Sequence, residues 1–144
     1  MATPPKTSDK MNKAVIVYLD GRRLNGYIYD FSAMKDRFRL FPEKSSPQSP
    51  GAEVLLKDLK GVFFVRDFGG NPEYQESSMV EAPRHGRRMQ VTFKDGETVM
   101  GTTEAYNPQK LGFFLFPADP KSNNVRIFIV NRNVAQTKFI VETK

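Results

Sequence analysis

The chain has 144 residues, 39% of them apolar, which allows one ordinary domain or two very small ones and argues against disorder throughout. It contains no cysteine, which excludes a disulfide framework, a thiolate metal site and a cysteine nucleophile. A net charge of +6 favours partners that carry phosphate, and no apolar run reaches the roughly 18 residues that a membrane-spanning helix needs.

The N-terminal segment, residues 1–11, is polar and is predicted to be a flexible tail. It has no apolar stretch like that of a secretory signal peptide. This observation and the lack of cysteine lead us to expect a cytoplasmic protein.

The segment 12–69 is predicted to contain five short strands. Apolar residues alternate up to Leu19, as in a half-buried strand, and Asp20-Gly21 then predicts a tight hairpin turn. Gly26 lies inside the second predicted strand, residues 24–31, where a glycine usually marks a bend or a bulge. The runs RFRLF, EVLL and GVFFV predict the other strands, with a loop rich in proline and serine before EVLL and the short turn KDLK before GVFFV.

The second half of the chain repeats the first at an offset of 75 residues. A polar, turn-rich linker is predicted over 70–86, and the segment 87–144 follows with the same pattern of strands. The matches comprise Asp20-Gly21 with Asp95-Gly96, Gly26 with Gly101, and Leu40-Phe41-Pro42 with Leu115-Phe116-Pro117. We interpret this register as an internal duplication.

Five short, bent strands in each copy suit a small closed barrel, because closure leaves no unpaired strand edge. The order of strands and turns resembles the Sm-like barrel of Sm proteins and of the bacterial RNA chaperone Hfq, and Gly26, Ile28 and Phe31 look like the first Sm motif. The resemblance implies an all-β fold of two tandem five-stranded Sm-like or SH3-like barrels. The repeated LFP is also similar to a pattern of an uncharacterised bacterial family.

The residues that could perform catalysis are few and scattered. His85 is the only histidine, and Asp20 and Asp95 are explained by their turns. No motif of a metalloprotease, a serine hydrolase or a phosphate-binding loop enzyme is present. We therefore predict a non-enzymatic binding module with no catalytic residues, no metal site and no cofactor.

The Sm-like resemblance makes RNA the first expected ligand. Sm proteins bind RNA through the loop after the second strand and the turn before the fifth, which correspond here to residues 31–36 and 57–60. The resemblance thus points to Lys57 and Lys60, and the hairpin residues Arg22 and Arg23 add positive charge that attracts phosphate.

The second copy also resembles PilZ domains, which implies a sensor of cyclic dinucleotides as an alternative. The pattern is Arg84-x-x-x-Arg88, followed by Asn107-x-Gln109-x-x-Gly112, with Gln109 at the position of the family's serine. Paired arginines can grip phosphate and guanine edges.

The densest basic cluster consists of Arg84, Arg87 and Arg88, and a phosphate ligand is expected to be held chiefly there. If neither nucleic acid nor nucleotide binds, the remaining hypothesis is a protein-interaction module. The sequence leaves the oligomeric state open.

Overall fold

The computed structural model describes residues 12–29, 31–42, 51–68, 86–104, 106–117 and 123–140. The predicted tail lies outside these residues, and so does the predicted linker apart from Gly86. Strands account for nearly all regular structure in the described part, which confirms the all-β prediction. No helix found there is long and apolar enough to cross a membrane.

The described residues of each half form five strands in the same order, with one turn of 3₁₀-helix between the fourth and the fifth. In the first half the 3₁₀ turn is Leu56–Asp58, and in the second it is Asn131–Asn133. The strands of the first half are β1 Asn12–Tyr18, β2 Arg23–Ile28, β3 Arg37–Leu40, β4 Ala52–Leu55 and β5 Leu59–Val65. Those of the second half are β6 Arg87–Phe93, β7 Thr98–Thr103, β8 Gly112–Pro117, β9 Asn124–Val130 and β10 Val134–Phe139.

One antiparallel sheet passes through both halves. Its strand order is β10-β6-β7-β8-β9-β5-β1-β2, and β3 pairs with β4 in a separate two-stranded ladder. An isolated bridge between Tyr27 and Phe41 connects β2 to the residue after β3. The halves therefore meet where β5 pairs with β9, and we call this pairing the seam. The two separate barrels remain a prediction, because the ladders form one sheet across the seam.

The Asp-Gly turns predicted from the sequence are present in both halves. Gly21 and Gly96 adopt φ angles of +99° and +96°, which glycine reaches without the steric cost that other residues incur. The Gly21 amide donates to the Tyr18 carbonyl at 3.0 Å, and the Gly96 amide donates to the Phe93 carbonyl at 2.9 Å. These turns close the β1–β2 and β6–β7 hairpins.

Gly26 and Gly101 lie where two stretches of backbone come close together. A β-carbon at Gly26 would lie 2.6 Å from Leu40 Cγ and 2.9 Å from the Phe41 carbonyl oxygen. A β-carbon at Gly101 would overlap the carbonyl oxygen of Phe116. A side chain at either position would therefore push the second strand of that half away from its neighbour.

The end of the second strand and the turn before the fifth differ most from the prediction. The second strand ends at Ile28 instead of continuing to 31. The turn predicted over 57–60 is a single 3₁₀ turn, Leu56–Asp58, which is closed by a hydrogen bond from the Leu59 amide to the Leu56 carbonyl. Lys60 is therefore part of β5 and lies in the sheet.

Buried apolar side chains form two cores, one for each half, and the seam strands contribute to both. Phe128 and Val130 of β9 face the first core, whereas Ile127 and Ile129 face the second. Phe63 of β5 packs against the second core as well. Because β9 is buried on both faces, it has the nearly continuous apolar sequence VRIFIV.

Candidate ligand-binding cavity

A cavity of about 740 Å³ lies beside the loops of both halves. The first half contributes the loop after β2 and the 3₁₀ turn before β5. The second half contributes the equivalent loop and turn, together with one edge of β10. The lining residues are Ala33, Met34, Leu56, Lys57, Tyr106, Pro108, Gln109, Lys110, Leu111, Val130, Asn131, Arg132, Val134, Ala135, Gln136 and Thr137.

The side chain of Asn131 fixes the loop that forms one wall of the cavity. Its Nδ2 atom donates to the carbonyl oxygens of Asn107 and Lys110, at 3.0 and 2.9 Å. The Asn131 amide also donates to the Leu111 carbonyl at 2.9 Å. Within the loop, the amide of Gln109 donates to Asn107 Oδ1 at 2.9 Å, which forms an Asx turn. The loop is thus held in one shape by the 3₁₀ turn beside it.

Among the described residues, three cations and no carboxylate line the cavity. Lys57, Lys110 and Arg132 are all exposed, and they come from both halves of the chain. Exposed apolar side chains lie among them, Met34 at 82% and Leu111 at 41% of their full accessible area. We call Lys57, Lys110 and Arg132 the basic rim. A concave surface of one charge sign with apolar patches suits a ligand that carries both phosphates and flat rings.

The cavity also exposes one edge of β10. Ala135, Gln136 and Thr137 line it, and the only strand beside β10 in the described chain is β6, on the opposite edge. The corresponding edge of β5 is covered by β9. The cavity therefore borders a strand edge that no described strand covers.

Aromatic rings connect the cavity wall to the first strand of the second half. Tyr106 packs edge-to-face on Phe113 and Phe139, with ring centroids 4.9 and 5.9 Å apart. The guanidinium carbon of Arg87 lies 3.7 Å from the centroid of Phe139. Arg87 is therefore engaged in a cation–π contact behind the wall and is not a lining residue.

The structure describes only part of the predicted basic cluster and of the PilZ-like pattern. Arg84 lies outside the described residues, and Arg88 lies in β6, away from the cavity lining. Gln109 lines the cavity, whereas the Asn107 side chain is occupied by its Asx turn. Gly112 is explained by packing, since a β-carbon there would overlap the carbonyl oxygen of Ile129.

Arg22 and Arg23 lie at a different place, at the β1–β2 hairpin. The Arg22 Nε atom is 3.0 Å from an Asp20 carboxylate oxygen, and its guanidinium carbon is 4.3 Å from the Tyr18 ring centroid. Arg23 lines a smaller cavity of about 300 Å³ together with Lys60 and Glu97. The two arginines are therefore not part of the basic rim.

Lys60 is buried, and two carboxylates of the second half neutralise it. Its Nζ atom lies 2.9 Å from Asp95 Oδ2 and contacts Glu97 Oε1, and it is 4.9 Å from the Phe93 ring centroid. Burial alone would lower the pKa of Lys60, but the bonds to Glu97 and Asp95 outweigh burial and raise this pKa. Lys60 thus ties β5 to the β6–β7 turn across the seam and is not free to bind a ligand.

Sequence reasoning did not identify Lys110 and Arg132 as site residues. The offset of 75 contained the necessary signal, because it relates Lys35 to Lys110 and Lys57 to Arg132. Transferring the positions predicted to bind RNA from the first half to the second would have selected both cations. What the sequence could not provide is the position of one half relative to the other.

Comparison with known proteins gives one match. No curated protein and no solved structure matches the chain. A family model described as a family of unknown function, DUF6982, matches residues 10–141, which is most of the chain. The chain therefore belongs to the family of unknown function DUF6982.

Proposed function

We propose that the protein is a non-enzymatic binding module that holds a phosphate-bearing ligand, with single-stranded RNA as the leading candidate, in the cavity beside β10. The observation that carries the proposal is the basic rim. It comprises Lys57, Lys110 and Arg132, and no carboxylate is among the described residues that line the cavity. Cations in a groove attract the phosphate backbone of a single strand, and exposed apolar side chains can contact its bases.

The origin of the rim residues supports RNA over other phosphate ligands. Lys57 and Arg132 lie in the turns before the fifth strands, and Lys110 lies in the loop after a second strand. These are the positions at which the resemblance to Sm proteins implies RNA contacts. A cyclic dinucleotide would need the arginine pair of the PilZ-like pattern, of which Arg88 does not line the cavity.

The proposal extends to the architecture: the halves are duplicated copies of a small Sm-like barrel. The common order of elements supports this, and so do details repeated at the same offset. The Leu19 amide donates to the Asp58 carbonyl, and the Lys94 amide donates to the Asn133 carbonyl. Since a barrel of about 60 residues buries only about 60% of its chain's surface, two copies joined at a seam stabilise each other.

Fluorescence anisotropy with a labelled single-stranded oligoribonucleotide tests the proposed function. The variant Lys57→Glu/Lys110→Glu/Arg132→Glu should lose binding, because three cations that face the cavity become anions. Neutralising the same cations with glutamine should reduce the slope of log affinity against log salt by about 2, since each phosphate contact with a single strand contributes roughly 0.7.

The matched control is Arg84→Glu/Arg87→Glu/Arg88→Glu, which changes the net charge by the same amount at the basic cluster predicted from the sequence. Neither Arg87 nor Arg88 lines the cavity. We expect it to weaken binding less than the rim variant does. If only the control variant loses binding, the site is the cluster at the start of the second half. If the unmodified protein binds neither RNA nor cyclic di-GMP at low salt, the phosphate proposal is wrong and a protein partner becomes the leading hypothesis.

A further inference from the structure

The seam provides a template for how two copies of this fold can join. In the β5–β9 ladder, Phe63 lies opposite Ile127 and Val62 lies opposite Phe128. The side chains of Phe63 and Ile127 pack into the second core, and those of Val62 and Phe128 pack into the first. The Phe128 ring also lies 5.0 Å from the ring of Phe31, centroid to centroid. The seam is thus a strand pairing in which both residues of each of these two pairs have apolar side chains.

The same pairing could in principle continue from one molecule to the next. By the offset of 75, β10 is equivalent to β5 and β4 is equivalent to β9. Within the ranges that the structure describes, the outer edges of β10 and β4 have no strand beside them. A second copy could therefore lay its β4 along β10, with Ala52 opposite Lys138 and Glu53 opposite Thr137. Unprotected edges of this kind lead to open-ended assembly.

We propose that these outer edges are protected against such pairing, that a single copy is the functional unit, and that Glu53 and Lys138 provide the protection. Lys138 replaces the seam residue Phe63, and Glu53 replaces Phe128. In a second-copy pairing, Glu53 would lie against Tyr106 as Phe128 lies against Phe31. Lys138 would lose water opposite the methyl group of Ala52, and Glu53 would lose water against the Tyr106 ring. Removing charged groups from water in this way is unfavourable.

Two further differences act in the same direction. The β4 strand has four residues and β9 has seven, so the outer pairing would form fewer backbone hydrogen bonds. The ion pairs of Lys60 across the seam have no counterpart, because the equivalent residue is Ala135 and Asp20 is already paired with Arg22. Glu53 itself is 3.3 Å from Arg37 and is half exposed. Charged residues and short strands are the usual means by which sheet edges avoid association.

Sedimentation velocity on the full chain tests the proposal. The unmodified protein should keep the mass of one chain over the micromolar to high-micromolar range. The variant Glu53→Phe/Lys138→Phe places the seam residues on the outer edges and should show a concentration-dependent increase of at least twofold in average mass. A matched control, Lys94→Phe/Glu104→Phe, changes the same residue types away from both edges and should remain a single copy.

Circular dichroism checks that each variant keeps its strand content. If the phenylalanine variant loses it, Glu53→Val/Lys138→Val gives the same readout with smaller side chains that favour strands. A folded edge variant that remains a single copy at high concentration would overturn the proposal. Self-association of the unmodified protein over the same range would also overturn it. Neither outcome depends on RNA binding, so this test and that of the proposed function can fail separately.

Discussion

Lys60 forms a buried ion-pair cluster with Asp95 and Glu97. We predict that removing the two negative charges destabilises the fold more than removing the positive charge does. The Lys60 side chain is only 5% exposed, whereas Asp95 is 39% and Glu97 48% exposed. Asp95→Asn/Glu97→Gln keeps the shapes of both partners but leaves a buried ammonium without an anion. Lys60→Met keeps the aliphatic stem and leaves two carboxylates that water can reach.

The magnitudes follow from this difference in exposure. Removing the partners of a fully buried charge costs about 3–5 kcal/mol. Because the partners here are half exposed, water reaches the site, and we expect the double carboxylate variant to lose about 2–3 kcal/mol of unfolding free energy. Lys60→Met should lose at most about 1 kcal/mol, since it also removes the cost of burying the ammonium.

Urea unfolding followed by circular dichroism measures both free energies. The pair Asp20→Asn/Arg22→Gln is the matched control, because it alters the equivalent turn of the first half, where both partners are exposed. It should leave stability unchanged within error. If Lys60→Met is as destabilising as the double carboxylate variant, the loss of stability in the latter is not caused by leaving the buried ammonium unpaired.

Two further predictions concern pH and close packing. The hydrogen bond from the Glu97 amide, and after it the bond from Lys60, hold the pKa of Asp95 below its ordinary value of 3.8. The stability that the Asp95 carboxylate contributes is therefore present above that pH and is lost as the pH falls through the lowered pKa. The difference in unfolding free energy between the unmodified protein and Asp95→Asn, measured by urea titration, should therefore be constant near neutral pH and shrink towards zero in acid. A difference that increased in acid would contradict this. Gly101→Ala should lower the melting temperature more than Gly26→Ala, because the overlap at Gly101 is with a backbone carbonyl, whereas at Gly26 the closest atoms belong to the Leu40 side chain, which can move. Equal losses in thermal unfolding would argue against this.

Much of the local structure could be predicted because it depends on short-range patterns. The alternation before Asp20-Gly21 and the positive φ angle that the turn requires are properties of neighbouring residues. The offset of 75 predicted that the second half would repeat the first half's order of elements, as it does. Gly26 and Gly101 were recognised as unusual strand glycines, and both lie at close backbone approaches.

The candidate site could not be predicted in the same way, because it depends on how the halves pack together. Lys57 and Lys60 are separated by two residues, yet one faces the cavity and the other is buried against Asp95 and Glu97. Their different environments result from the single 3₁₀ turn at Leu56–Asp58 and from the β6–β7 turn across the seam. No local pattern in the first half shows that a carboxylate pair from the second half will cover Lys60.

An NMR titration of the ¹⁵N-labelled protein with a short single-stranded oligouridylate tests the central claim most directly. The account predicts that amide shifts change in the loop 106–111, the turn Asn131–Asn133, the edge of β10 and the turn Leu56–Asp58, which all border one cavity. The β6–β7 turn around Asp95 and the β1–β2 turn should not respond. Shifts concentrated at residues 84–88, or in those two turns and absent from the cavity, would contradict it.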